Sequence, residues 1–343
     1  MSYYSKGGKM NKVYILGAGA SAGYDKSEVS LRSPTARDFF KKAMQLIDKN
    51  AIEGQRFHNL FNFLEKYYCF KKEDIKEKEL DIEEVLTMLD LETSKNELKM
   101  ARKELLEMIF LTLNKILYGK RCPYHKKLIE NLKPTDTLIT FNWDLLVDNV
   151  LSERDVPDYK GNFSAFYIDN QWRRSCGYSN GPGLIKLHGS LNWMACKKCN
   201  KNYCYVLSGK VAADQVINPE DPKTLCPGCQ KQMEPIIIPP TLAKRYSNEL
   251  LDSLWAEASN SIKEANKIII IGYSLPVTDF KAKWLFMKSV AMRRRPLETL
   301  TIVDKYPDAL GDKFKGLFKI KNDRFSCIEG EIKEYVECHI QND

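Results

Sequence analysis

Histidine is scarce in this chain of 343 residues, with four in all, and long apolar runs are missing. Runs such as Ile268 to Ile271 fall far short of the roughly 18 residues needed to cross a bilayer, which excludes a membrane-spanning helix. The opening residues, MSYYSKGGKM, hold no apolar stretch of the kind that makes a secretory signal. The expectation is therefore a cytoplasmic protein in which disulfides do not form. Internal repeats and low-complexity segments are also lacking, and neither sign of charge dominates. The 53 basic and 45 acidic side chains leave a diffuse net charge of +8. That balance suits an anionic ligand or nucleic acid without choosing between them, and direct nucleic-acid binding stays open. Its one tight cluster, Arg293-Arg294-Arg295, reads as a solvated helix end. At 43% hydrophobic and 29% charged, the composition is that of a globular protein with chain enough for one large domain or two modest ones.

Cysteine, by contrast, is abundant and patterned. Four of the ten form two CxxC pairs, Cys196 with Cys199 and Cys226 with Cys229, separated by 26 residues. Each such turn points two thiolates at one ion, and two turns make a tetrahedral Zn²⁺ site with bonds of roughly 2.3 Å. Four thiolates leave no open coordination position, so the zinc is expected to be structural. Cys204 is an alternative for one of the four ligands.

The apolar run at Lys12 to Leu16 ends in Gly17-Ala18-Gly19-Ala20-Ser21-Ala22-Gly23. A strand entering a glycine-rich turn brings backbone N–H groups against a phosphate, and the spacing fits GxGxxA. An ordinary dinucleotide fold would next supply a strand ending in an acid. Instead, Pro34 to Phe40 and the following KKAMQLI read as a helix with apolar residues at 39, 40, 43, 44, 46 and 47. Residues 56 to 119 read as helical, with Leu105, Leu106, Ile109, Phe110, Leu113, Ile116 and Leu117 at helical spacing and Asp81 as an N-cap. Strand signals resume at Thr135 to Phe141, Leu184 to Leu187, Pro235 to Ile238, Lys267 to Ile271 and Thr299 to Val303. Such continuous apolar runs between helices predict a parallel sheet covered on both faces. Ligands of such sheets bind beyond the carboxyl ends of the strands, where the chain places Asn142 and Asp144, His188, Gly272 with Ser274, and Asp304. His58, His125 and His339 stand in no motif and read as structural or exposed, and Trp143, Trp193, Trp255 and Trp284 read as core.

In their order along the chain these motifs resemble the sirtuin family. Gly17 to Ser21 resembles its phosphate loop, Thr140-Phe141-Asn142-Trp143-Asp144 its T-x-N-x-D element, and Lys186 to Leu191 its catalytic-histidine segment. Cys196 follows His188 at the family's distance, Gly272-Tyr273-Ser274-Leu275 resembles the G-x-S loop, and Asp304 falls where a strand end meets the adenosine ribose. There are departures. The G-I-P-D-F-R stretch of deacylases is replaced by Gly23-Tyr24-Asp25-Lys26-Ser27, and Pro34 to Phe40 is similar to the sirtuin-like branch of bacterial defence proteins. Phe141 stands where deacylases have Gln. Ile236-Ile237-Ile238-Pro239-Pro240-Thr241 replaces the strand that pairs with the acyl-lysine peptide, and its two prolines lack the backbone donors for such pairing.

The resemblance implies a Rossmann-like α/β fold with a parallel sheet, a helical insertion and a small zinc-binding module. The expected division is a core of 1–49, 121–193 and 234–343, an insertion at 50–120 and the zinc module at 194–233. It further implies an NAD⁺ hydrolase releasing nicotinamide and ADP-ribose, similar to antiphage-defence effectors, with a deacylase or ADP-ribosyltransferase as the alternative. Asn142 would place the ribose and the attacking water, Asp144 the carboxamide, and His188 would be the base. Gly17, Ala18, Gly19, Ala20, Ser21, Gly272 and Ser274 would hold the phosphates, helped by the following helix N-terminus, and Asp304 the adenosine ribose. Expected partners, beside NAD⁺ and Zn²⁺, are further copies of the chain and a HerA-type ring ATPase.

Overall fold

The computed structural model describes residues 11–91, 95–152, 156–174, 180–206, 224–238 and 248–341. The chain opens with β1 (Lys12–Leu16), α1 (Ala18–Ala22) and α2 (Phe39–Asp48), followed by α3 (His58–Tyr68), α4 (Asp74–Glu77), α5 (Ile82–Leu91) and α6 (Asn96–Leu117). After α7 (Pro123–Glu130), β2 (Thr137–Thr140) and α8 (Leu146–Leu151) come β3 (Ala165–Ile168), β4 (Gln171–Arg173), β5 (Gly183–Lys186), β6 (Gly189–Cys196), β7 (Lys201–Tyr205) and β8 (Glu234–Ile237). The chain then continues through α9 (Glu249–Glu264), β9 (Lys267–Ile271), α10 (Phe280–Ala291), β10 (Thr299–Asp304), α11 (Pro307–Phe318) and β11 (Phe325–Glu329).

Six strands form one parallel sheet in the order β11-β10-β9-β1-β2-β5. Its central strands are buried on both faces, as β9 shows with four consecutive buried isoleucines, so unbroken apolar runs are what this position requires. All six strands point the same way, and every turn leaving β1, β2, β5, β9 and β10 therefore opens on one edge.

The second sheet has the order β4-β3-β7-β6-β8 and mixes directions, with β3 and β7 parallel and the other pairs antiparallel. It draws in strands from 165–173 and 189–193 as well as from 194–233. One expectation is corrected here: the run Pro235 to Ile238 does not join the parallel sheet but forms β8, antiparallel to β6. Composition could not reveal this, because a short apolar strand looks alike in either sheet. Pro239 and Pro240 lie outside the described residues.

The helical segment 58–117 packs α3 on α6, burying Leu105, Ile109, Phe110, Leu113, Ile116 and Leu117. The buried Glu104 carboxylate accepts from Leu60 N–H at 2.9 Å and from Asn59 Nδ2, holding the first turn of α3. Asp81 accepts from Glu83 N–H at 2.8 Å at the start of α5, as an N-cap should. The expected helix near residue 40 starts at Phe39, and all six of its apolar positions are buried; Pro34 lies before the turn at Ala36 to Asp38 that leads into it. This helical cluster is not detached, because its core also takes in Leu145, Leu191 and Ile237 from the segments beside the strand ends. Two surface expectations also change. Trp284 is exposed, as are Val277, Phe280 and Met287, rather than core. Arg293 is not simply solvated: its guanidinium donates to Ile262 O and Ala265 O at 2.5 Å each, closing the end of α9.

Candidate active site

The turn after β1 is built on contact between two glycines. Gly17 N–H donates to Ile271 O and Gly19 N–H to Gly272 O, at 3.0 and 2.9 Å. A Cβ on Gly17 would lie 2.4 Å from Gly272 O, and one on Gly272, whose φ is +59°, would lie 2.3 Å from Ala20 N. Only glycine permits this approach, so the turns following β1 and β9 are pressed backbone to backbone. The structure also alters how the loop can meet a phosphate. The amides of Gly19 and Ala20, expected to hold it, already donate to Gly272 O and Gly17 O. The following helix α1 has only five residues and adds little dipole. What the loop offers is a surface of small residues, with Gly17 and Gly19 bare of side chains.

Asn142 and Asp144 leave β2 directly beside this loop. Asn142 Nδ2 donates to Gly17 O at 2.8 Å and to Ser21 Oγ at 2.9 Å, and Ser21 Oγ donates to Asp144 Oδ2 at 2.6 Å. Asp144 Oδ1 accepts from Leu146 N–H at 3.0 Å, so the residue also caps the turn into α8. Loop, amide and carboxylate are thus one hydrogen-bonded unit, with Asn142 Oδ1 left as an acceptor.

Beneath it lies a buried ion pair. Lys186, at the end of β5 and wholly inaccessible, donates to Asp144 O at 2.5 Å and to Asp148 Oδ2 at 2.7 Å, while Tyr159 OH donates to Asp148 Oδ1 at 2.7 Å. Burying a charge is tolerable only with such complete pairing. Lys186→Met strands the Asp148 charge and is expected to lower stability by about 3–5 kcal/mol, read by urea unfolding. A loss below about 1 kcal/mol would show that the pair is not buried as described.

His188 follows two residues later and is nearly inaccessible. Its Nε2 lies 3.2 Å from Asp279 Oδ2. Its ring meets Phe141 edge-on at 5.2 Å, and Phe141 stacks flat on Tyr273 at 4.1 Å. Phe141, where deacylases have Gln, is therefore packing beneath the site. Burial pushes against ionisation of Asp279, but the His188 imidazole and the Tyr273 hydroxyl hold its carboxyl below the ordinary carboxylate value. Glu83, from α5 of the helical segment, accepts from Thr278 Oγ1 at 2.8 Å. Burial pushes Glu83 up to about 7; the Thr278 bond opposes this, and Asp81 and Asp279 add to it.

Because Glu83 holds its proton more tightly folded than unfolded, stability is full below about 4.5 and falls as pH rises toward 7. Glu83→Gln removes that slope. The variant should gain stability over the parent between pH 5 and pH 8, by at most roughly 3 kcal/mol in urea melts at the two pH values. Parallel pH curves for the two proteins would count against a half-buried, proton-holding Glu83.

Of the remaining expected residues, Asp304 lies at the end of β10, where its carboxylate accepts from Tyr306 N–H at 2.9 Å. Ser274 is exposed in the loop after β9. His125 is buried with Nδ1 3.1 Å from Cys122 Sγ, and burial holds its imidazole down at about 4, a structural part. The residues that motif reading missed are Asp279, Glu83 and Thr278, while Lys186 and Tyr273 stand inside motifs without a role assigned to them. For Asp279 a signal existed, an acid just before the helical run FKAKWLF, but it announces only a cap, and Asp279 does accept from Ala282 N–H at 3.1 Å.

Cys196, Cys199, Cys226 and Cys229 come together with all four Sγ atoms within 4.8 Å of one another, none in a disulfide. Cys196 and Cys229 Sγ are 3.5 Å apart, Cys226 and Cys199 3.9 Å. A tetrahedron with Zn–S bonds of about 2.3 Å has edges of about 3.8 Å, so the donor set fits zinc. Burial would raise the Cys226 thiol, yet the Tyr203 hydroxyl and Gly228 N–H bring it down to about 6, toward the thiolate a metal needs. Cys204 is not in the cluster; it lies buried on β7 near Asn192.

Residues 160–279 match the Sir2 family (SIR2). A mutant Sir2 homologue solved with 2′-O-acetyl ADP-ribose superposes at TM-score 0.50 and 16% identity, covering 97% of this chain and 91% of that one. A Sir2 enzyme solved to explain mechanism and regulation gives TM-score 0.46 at 16% identity, covering 96% and 90%. The first likeness establishes the fold as that of the sirtuins. A sequence comparison with curated proteins finds no match. No helix among the described residues is long and apolar enough to cross a membrane.

Proposed function

We propose that this chain hydrolyses NAD⁺ at the nicotinamide–ribose bond, releasing nicotinamide and ADP-ribose. NAD⁺ is what Sir2 enzymes consume, and one observation carries the reading to this chain. The glycine turn, Asn142, Asp144 and His188 stand together on the carboxyl edge of a sirtuin-type sheet, where a dinucleotide binds. As the C1′–N bond breaks, its electron pair leaves with nicotinamide and positive charge grows on the ribose. Asn142 Oδ1 aligns the water, and Asp144, with a free lone pair on each oxygen, accepts from the carboxamide. His188 takes the water's proton as its oxygen bonds to C1′. The small-residue turn and Ser274 would face the pyrophosphate, and Asp304 the adenosine ribose.

The similarity of Pro34 to Phe40 to defence proteins supports an antiphage role, restrained by self-association or by a HerA-type ring ATPase. The second reading, a lysine deacylase or ADP-ribosyltransferase, has one observation in its favour: β8 is the outermost strand of its sheet, and a peptide could pair there. Nicotinamide release by the purified protein, with and without an acetyl-lysine peptide, separates them. Release without peptide is the expected result, and release only with peptide would replace the hydrolase by a deacylase. A protein silent in both would be assayed with the ring ATPase, where continued silence would sink the enzymatic reading.

A further inference from the structure

Asp279 belongs to no motif described above, yet it is the most fully engaged carboxylate near His188. Oδ2 receives Tyr273 OH at 2.8 Å and lies 3.2 Å from His188 Nε2, and Oδ1 receives Ala282 N–H at 3.1 Å. Asp279 is buried, and so is the imidazole it faces. A buried, ionised carboxylate can only accept, so the proton of a neutral His188 resides on Nε2 and the lone pair on Nδ1. The loop bearing Asp279 is pinned from outside the sheet, because Thr278 donates to Glu83 of α5.

We propose that Asp279 is the positioning residue of His188: it fixes the imidazole as the Nε2–H tautomer and reserves Nδ1 as the base, while the helical segment anchors its loop through Glu83 and Thr278. This rests on the hydrolase reading for the identity of the reaction, but the pairing itself does not. In the reaction, Nδ1 takes one proton from water, the water oxygen bonds to C1′, and nicotinamide departs with the C1′–N electron pair. The imidazolium so formed lies against the Asp279 carboxylate and later returns its proton to solvent. The titratable groups that act on the Asp279 carboxylate are His188, Tyr273 from the loop after β9, Lys281 of α10 and Glu83 at the start of α5.

Asp279→Asn keeps the shape and an acceptor for Ala282 N–H but removes the charge, so a correct pairing makes a sharp demand. Ring ¹⁵N spectra of the four histidines, with His188→Gln to assign the signal, should show His188 as Nε2–H in the parent and shifted toward Nδ1–H in Asp279→Asn. Nicotinamide release should lose about 10²–10⁴ in kcat, with KM within threefold and an unchanged melting temperature. Asp279→Glu should recover part of the rate. Glu83→Gln, which keeps an acceptor for Thr278, should leave the His188 tautomer as it is. A parent His188 in the Nδ1–H form, or an Asp279→Asn variant with parental tautomer and kcat, overturns the proposal. If the parent releases no nicotinamide even with its partner, the hydrolase reading fails, and the tautomer alone decides the pairing. A variant that does not fold is replaced by Asp279→Glu, whose longer arm must also change the ring signal for the pairing to stand.

Discussion

Stripping zinc from the four-cysteine site is expected to unfold the second sheet and to abolish turnover with it. Structural zinc contributes apparent binding energies of about 10–16 kcal/mol in small metal-dependent folds, more than a domain of this kind has to spare. Here the ion would join the β6–β7 turn, which carries Cys196 and Cys199, to the turn holding Cys226 and Cys229. The strand between is what makes the effect travel. β6 begins at Gly189, next to His188, and Ile238 N–H donates to His188 O at 2.9 Å. Loss of the metal therefore releases both sides of the histidine. A strong chelator, or Cys226→Ser, should give protein without bound zinc, a separate low-temperature melting transition and no nicotinamide release. Metal analysis of the parent should return one zinc per chain. Full stability and activity in the zinc-free protein would show the cluster to be dispensable.

His188→Ala is expected to lower nicotinamide release by about 10²–10⁴ while leaving ADP-ribose binding near parental, since a general base contributes to the transition state rather than to the resting complex. Asn142→Ala should lose at least as much rate and weaken ADP-ribose binding too. Its amide holds Gly17 O and Ser21 Oγ, so truncation leaves the glycine turn without two of its bonds. Calorimetry beside initial rates reads the difference. Equal binding defects in both variants would mean that His188 holds ligand rather than moves protons, and an active His188→Ala would remove it from the mechanism.

Much of this site was legible in the residues because its chemistry is local in sequence. A strand running into glycines, an Asn and an Asp two apart after another strand, and CxxC pairs each declare themselves within a few positions. The positioning contacts were not legible, since they join distant segments: Glu83 meets Thr278 across 195 residues, and Lys186 meets Asp148 across 38. No short-range pattern encodes such a pairing. β8 was misassigned for a related reason. Its four residues carry the same apolar content in either sheet, and only the route of the chain through β6 decides which edge it joins. The amide of Gly19 could not be foreseen as engaged, because its acceptor, Gly272 O, belongs to a turn that sequence proximity does not reveal, whereas Ala20 bonds locally to Gly17 O.

The bonds among Gly17, Ser21, Asn142 and Asp144 bear on how this site can drift. Ser21 Oγ bonds both the Asn142 and the Asp144 side chains, so a substitution at one of the three is felt at the others through it, and single-site effects will not add. Ser21→Ala orphans both the Asn142 donor and the Asp144 acceptor. Descendants of this chain would accordingly exchange the three side chains together or not at all, and neutral variation would collect instead on the far side of the sheet.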